Sequence, residues 1–155
     1  MKKKVIFMNR SDIKLTIDQA YYSMINYLDK YYAKTKLDDL GCLLGGMMFL
    51  VDNISADPAA IDDWKDSVCK ILNQPKSKIS HQELTSTQAY AAMIDYLKEY
   101  GKRINSEEID NLVHEWKLSD KNEIINVQAW QEWVSSISKI LHEFPKIRPR
   151  FILMK

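Results

Sequence analysis

Apolar residues along this chain recur at spacings of three and four, the period of helices buried on one face, and nowhere in its body do they alternate as strands require. Ala20, Tyr21, Met24, Tyr27, Leu28 and Tyr31 form one stripe, and Ala89, Tyr90, Met93, Tyr96, Leu97 and Tyr100 form another. Leu40, Leu43, Leu44, Met47 and Leu50 have a partner stripe in Ile109, Leu112, Val113 and Trp116. A last pair joins Ile61, Trp64, Val68, Ile71 and Leu72 to Trp130, Trp133, Ile137, Ile140 and Leu141. The offset within every pair is 69 residues: 15–72 returns without a gap as 84–141, with 18 of 58 aligned positions identical. Chance gives only a few, so the pattern reads as an internal duplication of a three-helix unit.

Helix start signals agree with the stripes. Thr16 with Gln19, and Thr85 with Gln88, have capping-box spacing, in which a hydroxyl and an amide satisfy backbone N–H groups that have no intrahelical partner. Asp38-Asp39 and Glu107-Glu108 fall in first turns, where carboxylates meet the positive end of the helix dipole. Asp57-Pro58 reads as an N-cap followed by a first-turn proline, with Asn126 as the matching cap. Pro75 and Pro145 end the two copies, and residues 73–83 form a polar connector. Three helices with one apolar stripe each bury little by themselves, so the two copies are expected to pack on one another about a pseudo-two-fold axis. The expected fold is all-α, a single domain of six main helices, with no strand inside either copy. Outside the repeat, Val5–Met8 and Phe151–Met154 are short β-prone runs, the candidates for a short β pairing of the termini.

Composition narrows the class further. A chain of 155 residues suits one core, and 46% hydrophobic with 28% charged residues is globular usage, which excludes a disordered or collagen-like chain. The run Leu43–Val51 contains two glycines and is far short of the roughly 20 apolar residues that a membrane span requires. Met1–Phe7 has three lysines but lacks the apolar core of an export signal, so the cytoplasm is the expected compartment. Cys42 and Cys69 stand alone in apolar stretches and are expected to be reduced, inert core thiols.

The net charge of +1 conceals a partition: residues 1–14 carry +4, residues 142–155 carry +3, and the body between them −6. Copy one concentrates the acids in Asp38, Asp39, Asp52, Asp57, Asp62, Asp63 and Asp66. Asp62, Asp63 and Asp66 lie off the Ile61/Trp64/Val68 stripe and should face solvent. They constitute either an ordinary solvated helix face or a docking surface for a basic partner, which such charge would steer. The basic tails are too small a footprint for direct nucleic-acid binding.

Catalytic motifs are missing. The chain has no GxGxxG, GxxxxGK[ST], GxSxG or CxxC. His114-Glu115 begins like a zinc-protease helix, but Leu118 occupies the position of the second ligand. The sequence therefore calls for no metal and no cofactor. His81 and His142 lie in the connector and at a helix end, and the eight tyrosines all fall in the first helices, mostly as core. Gly45-Gly46 is the local oddity, since each glycine inside a helix costs roughly 1 kcal/mol relative to alanine. Either a close helix crossing or the approach of a partner's backbone would explain them.

Three stretches, Leu15-Thr16-x-x-Gln19-Ala20-Tyr21-x-x-Met24, Asp38-Asp39-Leu40-Gly41-x-Leu43-Leu44-Gly45-Gly46-Met47, and Asp57-Pro58-Ala59 with Asp63-Trp64, resemble a family of small bacterial immunity proteins of contact-dependent growth inhibition and related polymorphic toxin systems. The resemblance covers residues 15–72. Copy two keeps only the first stretch, so functional carry-over is confined to copy one. The resemblance implies a non-enzymatic cytoplasmic protein that binds the toxic C-terminal domain of a cognate secreted effector, often a nuclease. A surface of carboxylates standing in for phosphates would cover such a toxin's basic active site. The expected contact set is Asp38, Asp39, Asp62, Asp63 and Asp66. The glycine-bearing helix, with Gly45, Gly46 and its Met47/Met48 surface, is the second candidate. A monomer is favoured, with no membrane partner. Two other classes remain: a cytoplasmic helical adaptor or regulatory domain, and an enzyme built from scattered carboxylates and His114.

Overall fold

The computed structural model describes residues 12–47 and 58–143, which form six α-helices, a 3-10 turn and two short strands. The order is β1 (Lys14–Thr16), α1 (Ile17–Thr35), α2 (Asp38–Met47), α3 (Pro58–Leu72), the 3-10 turn (Lys76–Lys78), β2 (Glu83–Thr85), α4 (Ser86–Ile104), α5 (Glu107–Trp116) and α6 (Val127–Glu143). The fold is all-α as expected, and among the described residues no helix is long and apolar enough to cross a membrane.

Local chemistry explains where the helices begin and end. Both capping boxes form: Gln19 N donates to Thr16 Oγ1 at 3.0 Å and Thr16 N to Gln19 Oε1 at 2.9 Å, while Gln88 N donates to Thr85 Oγ1 at 3.1 Å and Thr85 N to Gln88 Oε1 at 2.9 Å. Asn126 caps α6 by accepting from Ala129 N at 3.0 Å. The chain leaves α1 and α4 through left-handed residues, Lys36 at φ 56° and Asn105 at φ 55°. Asp57, Pro145, Leu50, Val5–Met8 and Phe151–Met154 lie outside the described residues.

The expectation of no strand inside either copy is corrected. β1 and β2 pair antiparallel with Leu15 opposite Leu84, Lys14 opposite Thr85 and Thr16 opposite Glu83. Three extended residues are too few to show a two-residue period, which is why the sequence pattern conceals them. Leu15 and Leu84, which stand 69 residues apart, face each other in this pair. Both are fully buried.

Packing crosses between the halves. α1 lies along α6 and α3 along α4, while α2 and α5 each stay beside the preceding helix and meet each other. Two tryptophans tie this together. Trp64 Nε1 donates to Ile17 O at 3.2 Å and Trp133 Nε1 to Ser86 O at 3.0 Å, so each third helix is bonded to the start of its own first helix. Their rings meet the other half's first helix, Trp133 edge-on to Tyr27 at 5.8 Å and Trp64 to Tyr96 at 6.1 Å. Tyr21 Oη donates to Met47 O at 3.1 Å, and 69 residues on Tyr90 Oη donates to Trp116 O at 2.7 Å. One buried cluster runs through all six helices.

Glycine has a positional role at two sites. A Cβ on Gly41 would stand 2.7 Å from Tyr32 Cε1, and one on Gly101 would stand 2.8 Å from Asp110 Oδ1. Tyr32 and Gly101 are counterparts, as are Gly41 and Asp110. The same helix crossing is thus filled from the first helix in one half and from the second helix in the other.

Candidate functional site

The N-termini of α2 and α5 meet, and acidic side chains gather there. Glu108 Oε2 accepts from Asp39 N at 2.9 Å and from Leu40 N at 3.4 Å, capping α2 from the other half. Ser106 Oγ donates to Asp39 Oδ2 at 2.6 Å and accepts from Ile109 N at 3.0 Å, so Asp39 holds the cap of α5 in return. Asp39 and Glu108 are half-buried, whereas Asp38, Glu107 and Asp110 are exposed. No ion pair among the described residues includes any of these five carboxylates. The first turns of two helices supply partial positive charge that makes this density tolerable.

The acidic face of α3 is different. Asp62, Asp63 and Asp66 lie off the buried stripe as expected, with Asp62 and Asp66 exposed and Asp63 half-buried. Each has a cation of this chain beside it: Lys76 Nζ is 2.8 Å from Asp62 Oδ1 and 2.9 Å from Asp66 Oδ1, and Arg103 is 3.2 Å from Asp63 Oδ2. Hydrogen bonding to Asp62 and Asp66 holds Lys76 above its ordinary value. The pairing was not visible in sequence, because Lys76 is in the connector and Arg103 on α4. The structure therefore divides the expected contact set between two places: Asp38 and Asp39 at the α2/α5 junction, and the three aspartates of α3 on a largely neutralised face.

The glycine-bearing helix is also revised. A Cβ on Gly45 or on Gly46 would meet no described atom within 4 Å, so no close helix crossing among the described residues explains them. Met47 is fully buried, being on the Leu40/Leu43/Leu44 face, and offers no docking surface; Met48 lies outside the described residues. Gly45→Ala and Gly46→Ala should each raise the unfolding free energy by about 0.5–1 kcal/mol, through helix propensity and a less flexible unfolded chain. Urea titrations check this, and a partner's affinity measured on the same variants reports whether the two positions serve binding.

The inert-core reading of the cysteines is corrected for Cys42, which is exposed because position 42 points away from the buried face of α2. Cys69 is half-buried, and burial together with nearby Asp66 pushes its thiol up, which disfavours the thiolate. His81, His114 and His142 are exposed. Tyr21, Tyr27, Tyr90 and Tyr96 are core, while Tyr22, Tyr31, Tyr32 and Tyr100 are half-buried, so fewer tyrosines are core than the stripes suggest. Among the described residues no group of three or more His, Cys, Asp or Glu is placed to hold a metal ion.

Asp18 is a buried carboxyl that the sequence pattern did not single out. Burial pushes it up to about 6, against the pull of Lys65. Its folded-state value lies above its unfolded value of 3.8, so the native state binds the extra proton between about pH 4 and 6 and loses stability as pH rises through that window. Asp18→Asn should therefore stabilise the protein at pH 7, by on the order of 1–2 kcal/mol, and flatten that pH dependence. Urea unfolding at about pH 4 and pH 7 decides it.

The described residues thus define a mostly helical protein with one small two-stranded sheet and a cluster of carboxylates at the α2/α5 junction. No protein-family model, no curated protein and no solved structure matches this chain.

Proposed function

We propose that this chain is an immunity protein, which binds and neutralises a cognate bacterial toxin domain and performs no chemistry of its own. The partner is a toxin whose active site is basic because it handles nucleic acid, and the acidic surface covers that site in the cytoplasm of the toxin-producing cell. The observation that supports this reading is the α2/α5 junction, where exposed Asp38, Glu107 and Asp110 stand beside half-buried Asp39 and Glu108 with no ion pair among the described residues. A basic partner meets uncompensated charge there and nearly neutral charge on α3, so we centre the contact on the junction. Both halves contribute to it, although the resemblance to immunity proteins rests on residues 15–72 alone.

The test is co-purification with the C-terminal domain of whatever large secreted protein is encoded just upstream, paired with growth rescue. Nanomolar binding with rescue is the expected result. Absence of both, with each protein folded, would transfer the assignment to a cytoplasmic helical adaptor.

A further inference from the structure

Between α1 and α6 lies a cleft of about 350 Å³, lined by Tyr27, Lys30, Ala33, Lys34, Glu132 and Ser135. That volume is at the lower end of small-molecule sites. Its counterpart at the 69-residue offset is the groove between α4 and α3, and the two grooves can be compared position by position. Lys34 stands 3.5 Å from Glu132, and the equivalent pair, Arg103 with Asp63, stands at 3.2 Å. Beyond that shared pair the charges diverge.

In the α3/α4 groove Lys70 bridges two carboxylates, Asp95 at 3.1 Å and Glu99 at 3.3 Å, and its hydrogen bond holds Glu99 below the usual carboxylate range. In the α1/α6 groove Asn26 occupies the position of Asp95, Lys30 that of Glu99 and Lys139 that of Lys70. The lysine is kept, both carboxylates are gone, and a second lysine has been added. Lys30 is exposed, and no ion pair among the described residues includes it. Asn26, one turn before Lys30 on the same helix face, has a buried Oδ1 with no hydrogen-bond partner. That atom is closed to solvent and Asn26 does not line the cleft, so the charge available to a ligand there is that of the lining lysines. Since Glu132 offsets Lys34, the uncompensated cation of the cleft is Lys30. The floor is Tyr27, buried and packed edge-on against Trp116 at 5.1 Å and Trp133 at 5.8 Å, while Ser135 brings a hydroxyl. Desolvation holds the Tyr27 hydroxyl far above its ordinary value, so it stays neutral.

We propose that this cleft is a binding site for a small organic acid, whose carboxylate pairs with Lys30 and whose short apolar stem lies over Tyr27 and Ala33. The site is independent of the acidic junction and of the immunity reading. It is tested by titrating the full chain with hexanoate and following its amide resonances, with sodium chloride at matched ionic strength as control. The expected result is saturable shifts at Lys30, Lys34 and Ser135 with hexanoate alone. Lys30→Glu should weaken binding by about tenfold or more, and Lys30→Arg should retain it. The charge reversal leaves thermal melting intact, because position 30 is exposed and a glutamate there pairs with Lys34 four residues on. Shifts that do not saturate, that chloride reproduces, or that survive Lys30→Glu would overturn the proposal.

Discussion

Trp133→Ala should lower the unfolding free energy by about 3–5 kcal/mol, a large fraction of the stability ordinary for a domain of this size. Trp133 is fully buried, donates to Ser86 O at 3.0 Å, and touches Tyr90 in its own half and Tyr27 in the other. Truncation would leave a cavity across the line where the halves meet, and Ser86 O would lose a donor. Trp133→Phe keeps most of the ring volume and loses the donor, so it should cost about 1–3 kcal/mol. Trp64 makes the counterpart contacts, with Ile17 O, Tyr21 and Tyr96, so Trp64→Ala should be as damaging. Because helices are exchanged between halves, both substitutions should lower the midpoint of one cooperative transition, without a separate transition in which half of the helical signal persists. Circular dichroism and near-ultraviolet melting of the variants decide it. A Trp133→Ala protein that melts within a few degrees of the parent would refute the account of the core.

Neutralising Asp38, Glu107 and Asp110 together, as Asp38→Asn, Glu107→Gln and Asp110→Asn, should slow association with a cognate toxin domain by about tenfold or more and flatten its salt dependence. These side chains are exposed, so dissociation should change less. Each neutralised group also loses a favourable dipole interaction of roughly 0.3–1 kcal/mol, so melting curves must accompany the kinetics. The contrasting variant deletes Asp62 and Lys76 together, which leaves net charge unchanged and takes the cation from Asp66 as well. It should leave the on-rate unchanged. Equal slowing by both variants would place the contact on α3, and no slowing by either would remove the acidic surface from the mechanism.

The candidate surfaces lie where the two halves differ, not where they match. Matching positions such as Trp64 with Trp133 and Tyr21 with Tyr90 are core. The surface differences lie where the halves disagree in charge: Asn26 against Asp95, Lys30 against Glu99, and Gly45-Gly46 against His114-Glu115. That signal was present in the chain, but its meaning depends on which grooves the positions line.

What the sequence determined by itself is local. Apolar spacing set the six helices and their buried faces, and the short-range chemistry of Thr16, Gln19, Thr85, Gln88 and Asn126 set the starts of three of them. Such features depend on neighbours within about one turn, which a linear pattern records completely. Only the tertiary structure decided that the third helices exchange partners, that Leu15 pairs with Leu84, and that Asp39 and Glu108 cap each other's surroundings. It also decided that Lys76 and Arg103 pair with the aspartates of α3, whereas no ion pair among the described residues includes the carboxylates of the α2/α5 junction. A charge in the sequence has a sign but no partner, and the field it contributes depends on distances that only the folded chain establishes.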